Sequence, residues 1–443
     1  MRTSRRISRR AFLGSAAAAV AAPTIVPSSV FGQNAPSERI TVGVIGTGGM
    51  GMSDLGHIIN FQDVHIVAVC DVNESQKGHG RNLAKEHVEK HYAEKAKDGT
   101  YKGCTAYKDF RELCGRKDIQ AVVVGTPDHW HALASVEALK NGKDVYCEKP
   151  VTHLFAEGPI VIEAKQKHKR IFQTGSQQRS EYQFRRAVEI VRNGLIGKVH
   201  QMEVWLPIGH TGPQGNPNKT EIPAGLDYDM WCGPSKVLPY NEARQNFHWR
   251  WNLAYGGGQL MDWIGHHNDI GHWGIDEDLG GPVEVEAFGF EYPPENILPL
   301  YDAPHKYGVR CKYASGVEST ITANKDLGTK WTGDKGWVFV TRGKLDASNK
   351  EWLNKDFKLG DFTAYTSNDH RRNFIDGVKT RKDCIATVET SFRSIVPGFL
   401  GYASQAVGRK IKWDPKEMKV VGDDAAEKVL KAMNYREPWK LQA

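Results

Sequence analysis

The β-rich run Ile40–Ile45 passes without a break into Gly46-Thr47-Gly48-Gly49-Met50-Gly51. A strand that runs straight into G-x-G-x-x-G, with a helix to follow, restricts the fold more than any other feature of this 443-residue chain. Gly46 permits a tight turn, Gly48 lets backbone approach a pyrophosphate, and Gly51 permits close packing of helix on strand. The helix N-terminus beyond them attracts the anion. Asp71 stands twenty residues after Gly51, at the end of a second apolar run, Val64–Cys70. A carboxylate there accepts from both ribose hydroxyls and repels a 2′-phosphate, which favours NAD over NADP. Gly46, Thr47, Gly48, Gly49, Met50, Gly51 and Asp71 are therefore the first expected cofactor-binding residues.

The pattern after Asp71 alternates. A polar helix is expected from about Glu74 to Lys97, followed by the buried run at 121–124, a helix that ends on Gly142, and the strand Asp144–Cys147. Short, continuous apolar strands separated by helices imply a parallel sheet covered on both faces. Residues 36–156 are thus expected to form a Rossmann domain. From residue 157 on, the runs VEVEAFGFEY, YGVRCKYASGVESTITAN and GWVFVTRG read as antiparallel strands, with two late helices near Arg371–Lys379 and Val388–Val407. The expectation for residues 157–443 is an α+β domain with a mostly antiparallel, open sheet, which makes the whole chain α/β with a second unit for substrate binding and oligomerisation.

The N-terminal 35 residues read differently. Arg9 and Arg10 precede Ala11-Phe12-Leu13, and small residues fill positions 16–22. This is the pattern of a secretory leader, and the paired arginines within Ser-Arg-Arg-x-Phe-Leu point to the twin-arginine route and a periplasmic or otherwise exported location. Pro23 and Pro27 break the apolar run before it reaches the roughly 18–20 residues that span a bilayer, so no membrane attachment is expected after cleavage. Loss of the leader, which holds five arginines and no acidic residue, takes the formal charge from +7 to +2. A nearly neutral protein gives no electrostatic reason to expect a nucleic-acid partner or a membrane surface. The seven cysteines contain no CxxC pair, which argues against a disulfide framework and a zinc site.

The segment TPDHWHALASVEALKNGKDVYCEKP, residues 126–150, resembles the signature of the glucose–fructose oxidoreductase and inositol dehydrogenase family, Gfo/Idh/MocA. The family pattern Thr-Pro-Asn/Asp-x-x-His falls on Thr126, Pro127, Asp128 and His131, and its Glu-Lys-Pro on Glu148, Lys149 and Pro150. The resemblance implies that Thr126, Pro127, His131 and Glu148 border the cofactor and that Lys149 reaches nicotinamide and substrate. Lys149 has independent support, because ligands of parallel sheets lie at the carboxyl ends of the strands and Lys149 directly follows one.

Further on stands YGGGQLMDWIGHHNDIGHW, residues 255–273. Asp262 and His266 are four apart and share a helix face, and Asp269 is expected on the same side. The resemblance makes His266 the acid/base and Asp262 its support and a substrate contact. His267, about 100° round the helix, fits a second ligand contact and a buried structural histidine equally well. No metal spacing is evident, and no metal is expected. The preceding segment carries Trp231, His248, Trp249, Arg250 and Trp251. Flat apolar faces beside hydrogen-bond donors suit a sugar ring, although core packing accounts as well for any single tryptophan. His248 and Trp249, with His267, are the substrate-binding candidates.

Export and a soluble cofactor together imply that the dinucleotide is bound before export, retained, and regenerated in place. Three functions fit: an NAD(H)-dependent oxidoreductase of carbohydrate or cyclic polyol hydroxyls, a glycoside hydrolase that uses NAD through a transient keto-sugar, and a non-enzymatic carbohydrate-binding protein. Lys149, Asp262 and His266 together disfavour the third. Val283, Val285, Phe288 and Phe290 put apolar residues on both faces of one strand, so a homodimer or homotetramer that covers the open sheet is expected. The alternative is a monomer with residues 209–250 folded over that face.

Overall fold

The computed structural model describes residues 39–75, 78–96 and 99–443. The expected leader, residues 1–35, lies outside the described residues. Six short strands form the first sheet: β1 (Ile40–Ile45), β2 (Val64–Cys70), β3 (Thr105–Tyr107), β4 (Ala121–Val124), β5 (Asp144–Cys147) and β6 (Phe172–Thr174). Their order is β3-β2-β1-β4-β5-β6, with every neighbouring pair parallel. β1, β2, β4 and β5 are almost wholly buried, as apolar strands covered on both faces must be. Strand order reverses between β1 and β4, and a crevice opens at the carboxyl ends of the strands there.

The boundary expected at residue 156 is corrected by β6. A parallel neighbour needs a crossover helix, and Glu157–His168 is that crossover, so the change of texture after residue 156 marks a connector within the first sheet. The polar helix also starts later than expected, at Arg81, because Gly78 and Gly80 take φ of +79° and +121° in the turn before it.

The second sheet holds β7 (Val199–Pro207), β8 (Glu284–Glu291), β9 (Lys306–Lys312), β10 (Glu318–Asn324), β11 (Gly328–Gly333), β12 (Gly336–Thr341), β13 (Lys344–Ala347), β14 (Ile411–Asp414) and β15 (Lys419–Val420). Their order is β13-β12-β11-β7-β10-β9-β8-β14-β15, and only β7–β10 is parallel. The helix Gly258–Gly274 crosses its inner face closely. Thr329 Oγ1 donates to the His267 carbonyl at 2.7 Å and Trp331 Nε1 to that of Gly271 at 3.3 Å. A Cβ on Gly271 would stand 2.8 Å from Met202 Sδ.

The outer face is less apolar than the β8 sequence suggested. Val285 turns inward and is fully buried, while Phe288 and Phe290 are half-buried. Cross-strand pairs Arg310–Glu286 at 2.9 Å and Lys330–Glu203 at 3.7 Å break up the aromatic surface. Residues 209–250 do not cover this face. Around residue 226 they meet the end of the first sheet, where Asn73 bridges Leu226 and the Asp227 N–H donates to the Val72 carbonyl at 3.1 Å. Elsewhere they lie against residues 299–305, the Gly209 N–H donating to the His305 carbonyl at 2.7 Å and Arg244 Nη1 to that of Pro299 at 3.1 Å. All seven cysteines are buried and free. Among the described residues no helix is long and apolar enough to cross a membrane.

Candidate functional site

A cavity of about 850 Å³ lies over the carboxyl ends of β1, β2, β4 and β5, roofed by the segment that ends at Arg250 and closed by the helix Gly258–Gly274. Gly46 takes φ of +84°, and a Cβ on it would lie 2.6 Å from the Thr126 nitrogen. A Cβ on Gly51 would lie 1.8 Å from the Gly46 carbonyl oxygen. Gly48 and Gly49 line the cavity and have only open space where their Cβ atoms would be. That is a backbone cradle fitted to a pyrophosphate at a helix N-terminus. Met50 lines it too.

Thr47 and Gly51 stand behind the cavity wall. Thr47 donates from its N–H and its hydroxyl to Asp71 Oδ2 at 2.7 and 3.0 Å, and the Asn73 N–H donates to Asp71 Oδ1 at 2.8 Å. Burial pushes the Asp71 carboxyl up, and these donors offset part of that. The motif threonine thus aims the carboxylate.

Thr126, Pro127, His131, Glu148 and Lys149 all reach the cavity. His131 is chiefly a brace, since its ring nitrogens lie 2.9 Å from the Thr126 carbonyl and 2.6 Å from that of Pro150. It ties the two motifs together. Thr126 Oγ1, buried on the wall, has no protein partner and is available to a ligand.

The opposite wall brings Lys149, Asp262 and His266 together. Lys149 Nζ donates to the Asp262 carbonyl at 2.6 Å and to its Oδ1 at 2.9 Å, and Arg250 Nε donates to the same Oδ1 at 3.0 Å. Burial alone would raise the Asp262 carboxyl. The two cations outweigh burial and hold it down at about 2. Burial, then the charges of Lys149 and Arg342, drive the His266 imidazole well below its ordinary value, so it is neutral. His266 Nδ1 has no hydrogen-bond partner in the protein. The site thus offers a neutral base beside an ammonium fixed by a carboxylate.

Asp128, in the first motif, was not among the expected functional residues. It is 2 % exposed and lines the cavity, and its Oδ2 has no partner. Burial, reinforced by the charge of Asp262, pushes it up to about 8. The signal was available, since an acid at the first position of a helix after a parallel strand points at the crevice. Arg342, on the hairpin between β12 and β13, also reaches the wall and lies 5.0 Å over the Trp263 ring. Nothing local in the sequence marks it.

Two expectations are corrected, and of the two readings left open for His267 the buried structural one holds. Asp269 does not share the working face. Arg179, 2 % exposed, holds it with bonds of 2.7 and 2.9 Å in a buried structural pair. His267 is fully buried off the cavity, parallel to Trp263 at 6.1 Å, because its position round the helix faces the second sheet. His248 stacks on Trp251 at 5.7 Å and is absent from the wall. Trp249 does line the cavity, with the Arg250 guanidinium 4.4 Å over its ring, and so does Trp231. Among the described residues no cluster of three or more His, Cys, Asp or Glu is placed to hold a metal ion.

Comparison with known proteins agrees with this layout. Residues 40–176 match the profile described as "Oxidoreductase family, NAD-binding Rossmann fold", and residues 189–441 match "Oxidoreductase family, C-terminal alpha/beta domain", both of the GFO_IDH_MocA group. Inositol 2-dehydrogenase of Salmonella paratyphi B is 32% identical over 161 residues, 36% of this chain and 43% of that protein. The α-N-acetylgalactosaminidase of Shewanella oneidensis is 28% identical over 227 residues, 46% of this chain and 47% of that protein. The chain thus matches less than half the length of these curated relatives. The solved aldose-aldose oxidoreductase of Caulobacter crescentus has the same fold, with a TM-score of 0.60 at 17% identity, covering 84% of this chain and 99% of that one.

Proposed function

Because the chain belongs to the Gfo/Idh/MocA oxidoreductase family, whose NAD-binding Rossmann domain it carries, we propose that it oxidises a hydroxyl of a carbohydrate or cyclic polyol, with NAD(H) held in the glycine cradle. The observation that carries the reading is the convergence of Lys149, Asp262 and His266 on the wall that faces the cradle. Gly46, Gly48 and Gly49 would seat the pyrophosphate, Asp71 the ribose, and Thr126 and Glu148 the nicotinamide end. When bound, the nicotinamide supplies the hydride acceptor. The Lys149 ammonium holds the substrate oxygen and favours its alkoxide, while the neutral His266 ring takes the hydroxyl proton as the carbinol hydride leaves. Asp262 fixes Lys149 and Arg250, while burial, then the charges of Lys149 and Arg342, keep the imidazole neutral until it accepts that proton. Trp249 and Trp231 offer apolar faces to a ring, and Arg250 a donor at its rim.

Asp128 favours a second reading, the redox-neutral hydrolase. A further buried acid on the same wall could serve the proton transfers that elimination next to a transient ketone needs. The likeness to an α-N-acetylgalactosaminidase supports keeping it in view. Hydride balance separates the two. With a panel of polyols, free sugars and aryl glycosides, the oxidoreductase gives an oxidised product in step with dinucleotide reduction. Release of aglycone without net oxidation would replace it with the hydrolase.

The finer parts of the reading rest on the sequence. Arg9-Arg10 supports export by the twin-arginine route to the periplasm. Export supports a cofactor loaded beforehand and kept. The partly apolar outer face of the second sheet, with Trp205 against Phe339 at 5.5 Å, supports a homodimer or homotetramer of closed symmetry.

A further inference from the structure

Two carboxyl groups meet beneath the cradle, outside the Lys149–Asp262–His266 wall. Asp54, on the helix Gly49–Ile58, is fully buried, and Glu148, which follows β5, is 4 % exposed with its side chain on the cavity wall. The two carboxyl groups lie within hydrogen-bonding reach of each other. Ionised carboxylates only accept, so a bond between them requires a proton. Two adjacent like charges do not both ionise. One cation serves both. Arg371 Nε donates to Asp54 Oδ1 at 2.7 Å, and its charge also acts on Glu148. Gln177 Nε2 at 2.8 Å and the Tyr146 hydroxyl at 3.3 Å take Glu148 Oε1, while Asp54 Oδ2 is left without a donor. Gly175 makes the room, since a Cβ there would lie 2.3 Å from Glu148 Oε1. The other charged or titratable neighbours are Lys149, next in sequence, His57, which pairs outward with Asp369 at 2.8 Å, and His370, whose ring meets Tyr146 at 6.1 Å. One carboxylate would satisfy Arg371. The second adds a charge that Lys149, already bonded to Asp262, offsets only in part, and it stands on the wall of the dinucleotide cavity.

We propose that Asp54 and Glu148 share a single proton and tune the bound dinucleotide, the ionised pair favouring its oxidised form. With the proton in place, the pair and Arg371 are together neutral. Released to solvent, it leaves one negative charge on the wall. The oxidised nicotinamide ring carries a positive charge that the reduced ring lacks, so only the oxidised form gains from that release. Asp54 is a positioning residue that acts through Glu148. The inference rests on the NAD cradle and is independent of the substrate.

The test is calorimetric titration of the full chain, freed of any co-purified dinucleotide, with NAD⁺ and with NADH. Two buffers of different ionisation enthalpy are used at each pH from about 6 to about 9. NAD⁺ binding is expected to release a substantial fraction of a proton and NADH binding none. The NAD⁺/NADH affinity ratio is expected to rise about tenfold across the range, the scale of one charge acting over several ångströms in a protein interior. Asp54→Asn removes the neighbouring charge that, after burial, holds the proton on Glu148, so the release shrinks and moves to lower pH and the ratio changes less across the range. Asp128→Asn, which removes another buried acid of the cavity wall, keeps the release. NAD⁺ binding without proton release in the natural chain, or unchanged release in Asp54→Asn, overturns the inference and leaves the cradle standing. Failure of both dinucleotides to bind overturns the two together.

Discussion

On the parallel-sheet side, the glycine turn presents backbone to the cavity: Gly46, Gly48 and Gly49 line it, with Asp71 held in place by the N–H groups of Thr47 and Asn73. On the facing side the wall is side chains, with Trp249, Arg250, Asp262 and His266 from one stretch and Arg342 from a distant hairpin. The first wall can hold a common, unvarying group, because main-chain donors cannot be exchanged by mutation. The second can be re-cut for a new substrate without disturbing the first. Its chemistry depends on charge balance, with one carboxylate between two cations, Lys149 and Arg250, and a histidine kept neutral by burial, then by Lys149 and Arg342.

The largest test of that contrast falls on the side-chain wall. His266→Ala is expected to lower turnover by about 10²–10⁴-fold, the range for loss of a general base, with dinucleotide affinity unchanged. Burial, then Lys149 and Arg342, keep the imidazole neutral, so the proposed activity of the natural chain should show no loss as pH falls through the ordinary histidine value of about 6.5. Steady-state rates against pH measure both. A normal rate in the variant would remove His266 from the chemistry, and an acid limb near that value would show that its environment has been misjudged.

The backbone wall was the legible one. A glycine pattern after a strand fixes turn, helix and anion site within six residues, and Asp71, Thr126 and Glu148 fall at strand ends that the apolar runs locate. On the facing wall, sequence spacing put Asp262 and His266 together but could not tell which neighbours share their face. A helix buried on all sides carries polar residues that point everywhere. Spacing therefore put Asp269 on the side of His266 and left His267 open between ligand contact and core, although one turns to Arg179 and the other to the second sheet. Arg342 depends on how a distant hairpin folds over the cavity, which no local pattern records. The boundary at residue 156 failed for a related reason: the crossover to β6 resembles any other helix until its strand is seen to pair.

A smaller effect is expected on the backbone wall from Gly51→Ala. The new methyl would sit 1.8 Å from the Gly46 carbonyl oxygen, so either the helix or the glycine turn must move. Overpacking of this kind costs about 1–3 kcal/mol, to be read from denaturant unfolding. Because the cradle is the part displaced, NAD affinity should fall as well, while any turnover at saturating NAD should survive better than in His266→Ala. Unchanged stability and affinity would show that the cradle is looser than its geometry indicates. Turnover loss as deep as that of His266→Ala would show that the two walls are not separable.

The smallest expected effect sharpens the comparison from within a single helix. His267 is adjacent to His266, yet it is fully buried against Trp263 and Phe184, and neither ring nitrogen has a hydrogen-bond partner. Burial, assisted by Arg342, depresses its basicity to about 3, so it is neutral and carries no charge to the site. An unsatisfied buried polar group costs about 1–3 kcal/mol, and a leucine of similar bulk would avoid that cost while losing the ring's flat contact with Trp263. The two terms oppose each other. His267→Leu should therefore change stability by no more than about 1 kcal/mol in either direction, with turnover and its pH profile those of the natural chain. Thermal unfolding and steady-state rates check this directly. A deep loss of turnover in a folded His267→Leu protein would mean that the substrate reaches behind Trp263, and the working wall would then have to be extended round the helix by one residue.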